Sequence, residues 1–194
     1  SYPDIYGRRI VGVALIASAA EGVSETPLGQ TLKNPALNAA RSLAYHAPSV
    51  IRRGRGAARS LLQPILQAAS YGDMKVSPTV VAYSQKMMHE TPVGALVGFL
   101  RALELHDETA ALPVLAKVPT LIACGEQDLL TPPESSIRMA TELPDSELVL
   151  IGGAGHLVQL EQPEQINDAL VRLVDRATPS KLTAMTRKLK ERTR

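Results

Sequence analysis

Apolar residues fall along this chain in two different rhythms. Three short runs, IVGVALIA at 10–17, PTLIAC at 119–124 and SELVLI at 146–151, are dominated by apolar and β-branched residues. Runs this short, flanked by Gly, Pro or Asp, predict strands buried on both faces. Elsewhere the period is helical, and four helix starts share one device, a capping side chain followed by proline: Asn34-Pro35, Ser77-Pro78, Thr91-Pro92 and Thr131-Pro132. Thr131 and Glu134 have the S/T-x-x-E spacing in which each side chain satisfies a backbone N–H, and this predicts a helix over 132–143. A final helix from Pro163 carries Ile166, Ala169, Leu170, Leu173 and Val174 on one face; that face is expected to cover the sheet, with Arg172 and Asp175 in water.

The resulting order is strand, a long mostly helical insertion at about 19–117, strand, helix, strand, helix. A β-α-β-α series of this kind makes adjacent parallel strands joined by right-handed crossovers, so the fold class is α/β. The insertion is too long for a crossover alone, and Gly54, Gly56, Pro64 and Gly72 divide it into several helices that would lie as a lid over the sheet.

Composition narrows the picture by exclusion. The 194 residues have room for one domain, and 45% hydrophobic with 21% charged residues is ordinary for a globular protein. A net charge of +2 gives no field strong enough to make nucleic acid or a membrane surface the main partner. Cys124 is the single cysteine, which excludes an internal disulfide and a multi-cysteine zinc site. The longest apolar run, IVGVALIASAA at 10–20, falls short of the ~18 residues a spanning helix needs. The start, SYPDIYGRRIVGV, lacks the basic region of a signal peptide and reads like the middle of a longer sequence. The chain is therefore expected to be soluble and cytoplasmic, with no metal or cofactor. The tail at 177–194 holds Lys181, Arg187, Lys188, Lys190, Arg192 and Arg194 against one acid, Glu191, and is read as a basic, flexible end rather than a nucleic-acid site.

Two residues stand where chemistry would be expected. Asp128 follows the second strand in LIACGEQDLLTP, and His156 follows the third in LIGGAGHLVQLEQPEQIN. The carboxyl ends of neighbouring parallel strands lie side by side, and ligands bind along that edge. A carboxylate bonded to one ring nitrogen fixes the imidazole tautomer and leaves the other nitrogen to take a proton from a nucleophile. Taken singly, the aspartate reads as a turn former and the histidine as a structural residue; as a pair separated by one helix they favour catalysis.

The segment VPTLIACGEQDLLTPPESSIRMATELPDSELVLIGGAGHLVQLEQPEQINDAL (118–170) resembles the acid-to-histidine part of the α/β-hydrolase fold family, with its G-x-x-D-x-x-x-P and G-x-G-H-x-x-x-x-E-x-P stretches. RRIVGVALIAS (8–18) resembles the strand that follows the nucleophile helix in that family. The resemblance implies a partial α/β-hydrolase fold of about three parallel strands with flanking helices and a helical cap. Residues 1–18 and 111–176 would form the core, and 19–110 the cap insertion. It implies that His156 is the general base and Asp128 its orienter, in a serine esterase or lipase-like enzyme acting on a small or apolar ester. The family's chain order is nucleophile, acid, histidine, with the nucleophile in G-x-S-x-G. No such string occurs: GVSET at 22–26 lacks the closing glycine, and Ser24 is read as a cap or loop residue. The nucleophile and oxyanion hole are thus expected on sequence preceding residue 1, and the chain is expected to be inactive alone.

Alternatives stay open at this point. An aspartate nucleophile would make the whole protein an epoxide or haloalkane hydrolase, with His156 activating water. A non-catalytic reading makes the chain a fragment that binds a complementary N-terminal half, or a second copy, through the bare edge of strand 10–17. GGAG at 152–155 is read as a turn rather than a phosphate loop. His46, His89 and His106 lack the spacing of metal ligands, and His106-Asp107 suggests local capping or a salt bridge. Val80, Val81, Tyr83, Met87 and Met88 fit helical packing or the lining of an apolar tunnel. RRGRGAAR at 52–59 is read as a solvated loop.

Overall fold

The strand at 120–125 sets the layout of the molecule. In the computed structural model, residues 3–26, 70–73, 76–91 and 105–178 are described, with isolated positions at 30, 99, 102 and 103. The expectations for Asn34-Pro35, His46, 52–59 and the tail beyond 178 lie outside the described residues. The sheet comprises β1 (Val13–Ile16), β2 (Thr120–Gly125) and β3 (Glu147–Ile151), in the order β1-β2-β3. Both pairings are parallel, with Leu15 opposite Ile122 and Ile122 opposite Leu148.

Because side chains alternate across a strand, β2 serves two cores. Ile122 packs on one face with Ala20, Leu112, Met139 and Leu143. Leu121 and Ala123 face the other side, Leu121 among Ala169 and Leu173, Ala123 among Ile151, Ala154, Val158 and Ile166. Full burial on both faces, expected for all three strands, holds for β2 alone. β1 and β3 form the two edges of the described sheet and are mostly half-buried, and Leu148 in β3 remains 36% exposed. An edge strand has one neighbour, so part of its apolar surface lacks a second side to press against.

Four α-helices are described: α1 (Pro78–Glu90), α2 (Pro133–Glu142), α3 (Val158–Glu161) and α4 (Pro163–Ala177). α2 and a 3-10 helix at Thr109–Lys117 supply Met139 and Leu112 to the Ile122 face; α4 covers the other. Of the residues expected on the packed face of α4, Ile166, Ala169 and Leu173 are buried and Leu170 is half-buried, whereas Val174 is 58% exposed. At 100° per residue, Val174 lies about 80° from Ile166, beyond the sector that faces the sheet. Arg172 and Arg176 reach back to Glu147 of β3 at 2.7 and 3.0 Å; both pairs are solvent-accessible, so each contributes about 0–1 kcal/mol.

Cap chemistry differs from the expectation at α2. The helix begins at Pro133, not 132, its cap position is Pro132, and no side chain caps it. The cause is the Pro132-Pro133 pair: a residue before proline is driven out of the helical region, and Pro132 is extended at ψ 152°. Thr131 is thereby freed for another partner. At α1 the expected cap is present, with Ser77 Oγ accepting the Thr79 N–H at 3.3 Å. Thr91, expected to open a helix, closes α1 by donating its hydroxyl to the Met87 carbonyl at 2.9 Å; positions 92–98 lie outside the described residues. Val80 and Val81 are half-buried, whereas Tyr83, Met87 and Met88 are exposed and so lack the helical packing that was one reading of them. Among the described residues no helix is long and apolar enough to cross a membrane.

Candidate active site

Two tight turns at the carboxyl end of the sheet bring the candidate residues together. After β2 the chain bends at Gly125, where the Gln127 N–H donates to the Ala154 carbonyl at 2.9 Å. A Cβ on Gly125 would run into the carbonyl oxygens of Ala154 and Gly155, so only glycine allows the two loops this approach. After β3, Gly153 takes the left-handed φ of +74° that turns the chain back and sets His156 at the surface. GGAG is therefore a turn, as its glycines suggested.

The resulting pair is close and satisfied. His156 Nδ1 lies 2.9 Å from Asp128 Oδ2, with the aspartate side chain fully buried and the imidazole 26% exposed. The Thr131 hydroxyl donates to the same Oδ2 at 2.8 Å, while Oδ1 accepts the N–H groups of Leu130 and Thr131, each at 2.8 Å. A carboxylate only accepts, so Nδ1 carries the proton in this contact and Nε2 is the nitrogen able to take one. Asp128 thus does two things: Oδ1 closes the turn, and Oδ2 orients the ring. Burial pushes its carboxyl up, but the hydrogen bond and charge of His156, joined by the Thr131 donors, outweigh this and hold it below its ordinary value.

Beneath the pair lies Cys124. Its thiol is pushed up to about 12, first by burial and then by the Asp128 charge, so it stays protonated. It packs 3.8 Å from Asp128 Oδ2 as a weak donor.

Thr131 and Glu161 are the residues that sequence reasoning did not assign to this neighbourhood. For Thr131 the signal was the D-x-x-T spacing of an Asx turn; for Glu161 it was the E of the histidine motif. Glu161 accepts the Gly155 N–H at 2.9 Å, beside His156. The other candidates stay apart. His106 Nε2 pairs with the Ala19 carbonyl at 3.1 Å, and Asp107 accepts the Thr109 N–H at 3.1 Å, the local capping expected of it. Ser24 stands in a 3-10 turn at Val23–Glu25, and His89 in the exposed last turn of α1. A cavity of about 160 Å³ beside Arg138 and Leu112 is lined by neither Asp128 nor His156. Among the described residues no three His, Cys, Asp or Glu side chains gather as metal ligands would.

Residues 28–163 match the alpha/beta hydrolase fold family. The chain is 33% identical over 92 residues to an uncharacterized hydrolase, YugF, of Bacillus subtilis, covering 47% of this chain and 33% of that protein. It is 34% identical over 64 residues to an uncharacterized carboxylesterase, nap, of the same organism, covering 32% of this chain and 21% of the relative. A thermophilic esterase from Thermogutta terrifontis superposes with a TM-score of 0.65 at 23% identity, over 91% of this chain and 58% of its own. The chain thus spans a third or less of those two relatives and under two thirds of the esterase. With the acid and imidazole at the ends of neighbouring parallel strands and the match running through both, the chain belongs to the alpha/beta hydrolase fold family.

Proposed function

We propose that Asp128 and His156 are the acid and the base of a hydrolytic triad whose nucleophile is supplied from outside these 194 residues. The observation that carries the reading is the 2.9 Å contact between His156 Nδ1 and a fully buried Asp128 carboxylate. Their carboxyl-end position and the hydrolase and carboxylesterase names of the two Bacillus relatives support it.

The chemistry follows from the tautomer. His156 Nε2 takes the proton of a serine hydroxyl as its oxygen attacks an ester carbonyl, and then gives that proton to the departing alkoxide. Water attacks the acyl-enzyme with the same proton path, which releases the acid and restores the hydroxyl. Throughout, the Nδ1–H remains hydrogen-bonded to Asp128, which stabilises the imidazolium without being protonated. The substrate class is a small or apolar ester. With an aspartate as nucleophile the same base would activate water for epoxide or carbon–halogen cleavage. In this reading residues 1–18 and 111–176 are the core and 19–110 the cap.

A second reading rests on the β1 edge. β1 pairs with β2 alone among the described strands, so its other side offers backbone groups to a complementary chain or a second copy. The deciding experiment is hydrolysis of a short-chain p-nitrophenyl ester by three proteins: this chain, the chain joined to a polypeptide bearing a strand and nucleophile elbow, and that joined protein carrying His156→Ala. Turnover only in the joined protein, abolished by His156→Ala, is the expected result. Turnover by the 194 residues alone would place a nucleophile within them and overturn the assignment. Binding without turnover would favour the second reading.

A further inference from the structure

A second carboxylate spans two segments that are distant in sequence. Glu161, the last residue of α3, accepts the Gly155 N–H on Oε1 and the Gly72 N–H on Oε2, each at 2.9 Å. Gly155 precedes His156, and Gly72 belongs to the strap 70–73 within the long insertion between β1 and β2. The strap is fastened at both ends. The Leu157 N–H donates to the Ser70 carbonyl at 3.0 Å. The Asp73 N–H donates to Gln127 Oε1, and Gln127 Nε2 donates to Asp73 Oδ2, each at 2.6 Å. A Cβ on Gly72 or Gly155 would collide with backbone of the opposing segment, so the two backbones are in direct contact. Beyond the strap, the Tyr71 and Ser84 hydroxyls are hydrogen-bonded, which ties it to α1. A connected series of bonds therefore runs from α1 through Tyr71, Gly72 and Glu161 to the residue before His156.

We infer that Glu161 is a positioning residue that couples the seating of the insertion, through the strap, to the orientation of His156. The inference rests on the reading of His156 as the general base. A carboxylate is the side chain this place needs, because both of its oxygens accept and the two backbone groups both donate. In Glu161→Gln one oxygen becomes an NH2 donor, so one of the two N–H groups faces another donor, at nearly unchanged volume. The Glu161 carboxylate bonds the Gly155 N–H rather than the imidazole, so it acts on the geometry of the base.

The test uses the 194-residue chain and needs no turnover. Amide hydrogen exchange at Gly72 and Gly155 and the NMR signal of the His156 Nδ1 proton are compared in the parent, Glu161→Gln and Tyr71→Phe. For Glu161→Gln the expected result is a rise of about tenfold or more in exchange at one or both glycines, a shifted or broadened Nδ1 proton signal, and unchanged protection across 120–125. Tyr71→Phe, which removes only a hydroxyl, is expected to raise exchange at Gly72 more than at Gly155. Unchanged glycine exchange with an unchanged imidazole signal overturns the inference. So does an equal rise across 120–125, which would assign Glu161 to overall stability. If the Nδ1 signal responds but the joined protein has no esterase activity, the coupling stands and the proposed reaction falls.

Discussion

The Asp128 carboxylate and the His156 loop meet across 2.9 Å, yet they are held by different means. Asp128 is fixed from within: every donor to its carboxylate other than His156 and the weak Cys124 thiol comes from Leu130 or Thr131, two or three residues away. The His156 loop is fixed by Glu161, six residues on from Gly155, and by two distant segments, through the Ser70 carbonyl on Leu157 and Gln127 on Ala154. The carboxylate is thus pre-set by its own turn, whereas the imidazole takes its place from segments that must first arrive. On the proposed reading of His156 as the base, a rigid acceptor and a conditional base make a site whose competence depends on the rest of the fold.

The most damaging change should be to the shared bond. Asp128→Asn keeps the shape but offers Nδ1 the wrong partner or tautomer, and kcat of the joined protein is expected to fall by about 10⁴-fold, as loss of a triad carboxylate does. A fall of less than tenfold would mean that His156 is oriented by its own loop, and the contrast between the loops would collapse. Next comes the close approach of the two turns. Gly125→Ala puts a methyl group against the carbonyls of Ala154 and Gly155, and overpacking of this kind costs about 1–3 kcal/mol. A urea midpoint equal to that of the parent would show that the loops can separate freely.

How much of this the sequence disclosed depends on the same division. The placement of Asp128 beside His156, the three strands and α4 were legible because local pattern determines them: apolar runs, turn glycines and a helical period. Thr131 was misread because its capping spacing is genuine, but the Pro132-Pro133 pair moves the helix start by one residue and turns the hydroxyl to Asp128. The two-sided burial expected of β1 and β3 failed because it depends on neighbouring strands, which no local run encodes. The role of Glu161 was hidden for a related reason. Its second acceptor bond goes to Gly72, 89 residues away, and spacing cannot announce so distant a partner.

A smaller effect separates the two tasks of Asp128. Thr131→Val removes the hydroxyl that bonds Oδ2 and keeps the backbone N–H that bonds Oδ1. The expected loss is about 1 kcal/mol of stability, with Thr131→Ser restoring most of it. If Thr131→Val and Thr131→Ser behave alike, packing of the methyl group rather than the hydroxyl governs this position.

Acid should act on the aspartate side of the pair in a definite direction. The Asp128 carboxyl is held below its ordinary value in the folded chain: burial opposes this, but His156 and Thr131 prevail. In a group whose folded pKa is depressed, the unfolded state binds the proton first. Its contribution to stability is therefore complete above the unfolded value of about 3.9 and is lost as pH falls through the lower folded value. Urea midpoints measured between about pH 6 and pH 3 should decline on the acid side, and the decline should be shallower in Asp128→Asn, which has no proton to take up. Equal acid slopes in the two proteins would mean that the turn and the imidazole stabilise the carboxylate no better than water does. Asp128 would then be an ordinary turn residue, and the distinction between a pre-set acceptor and a conditional base would lose its physical ground.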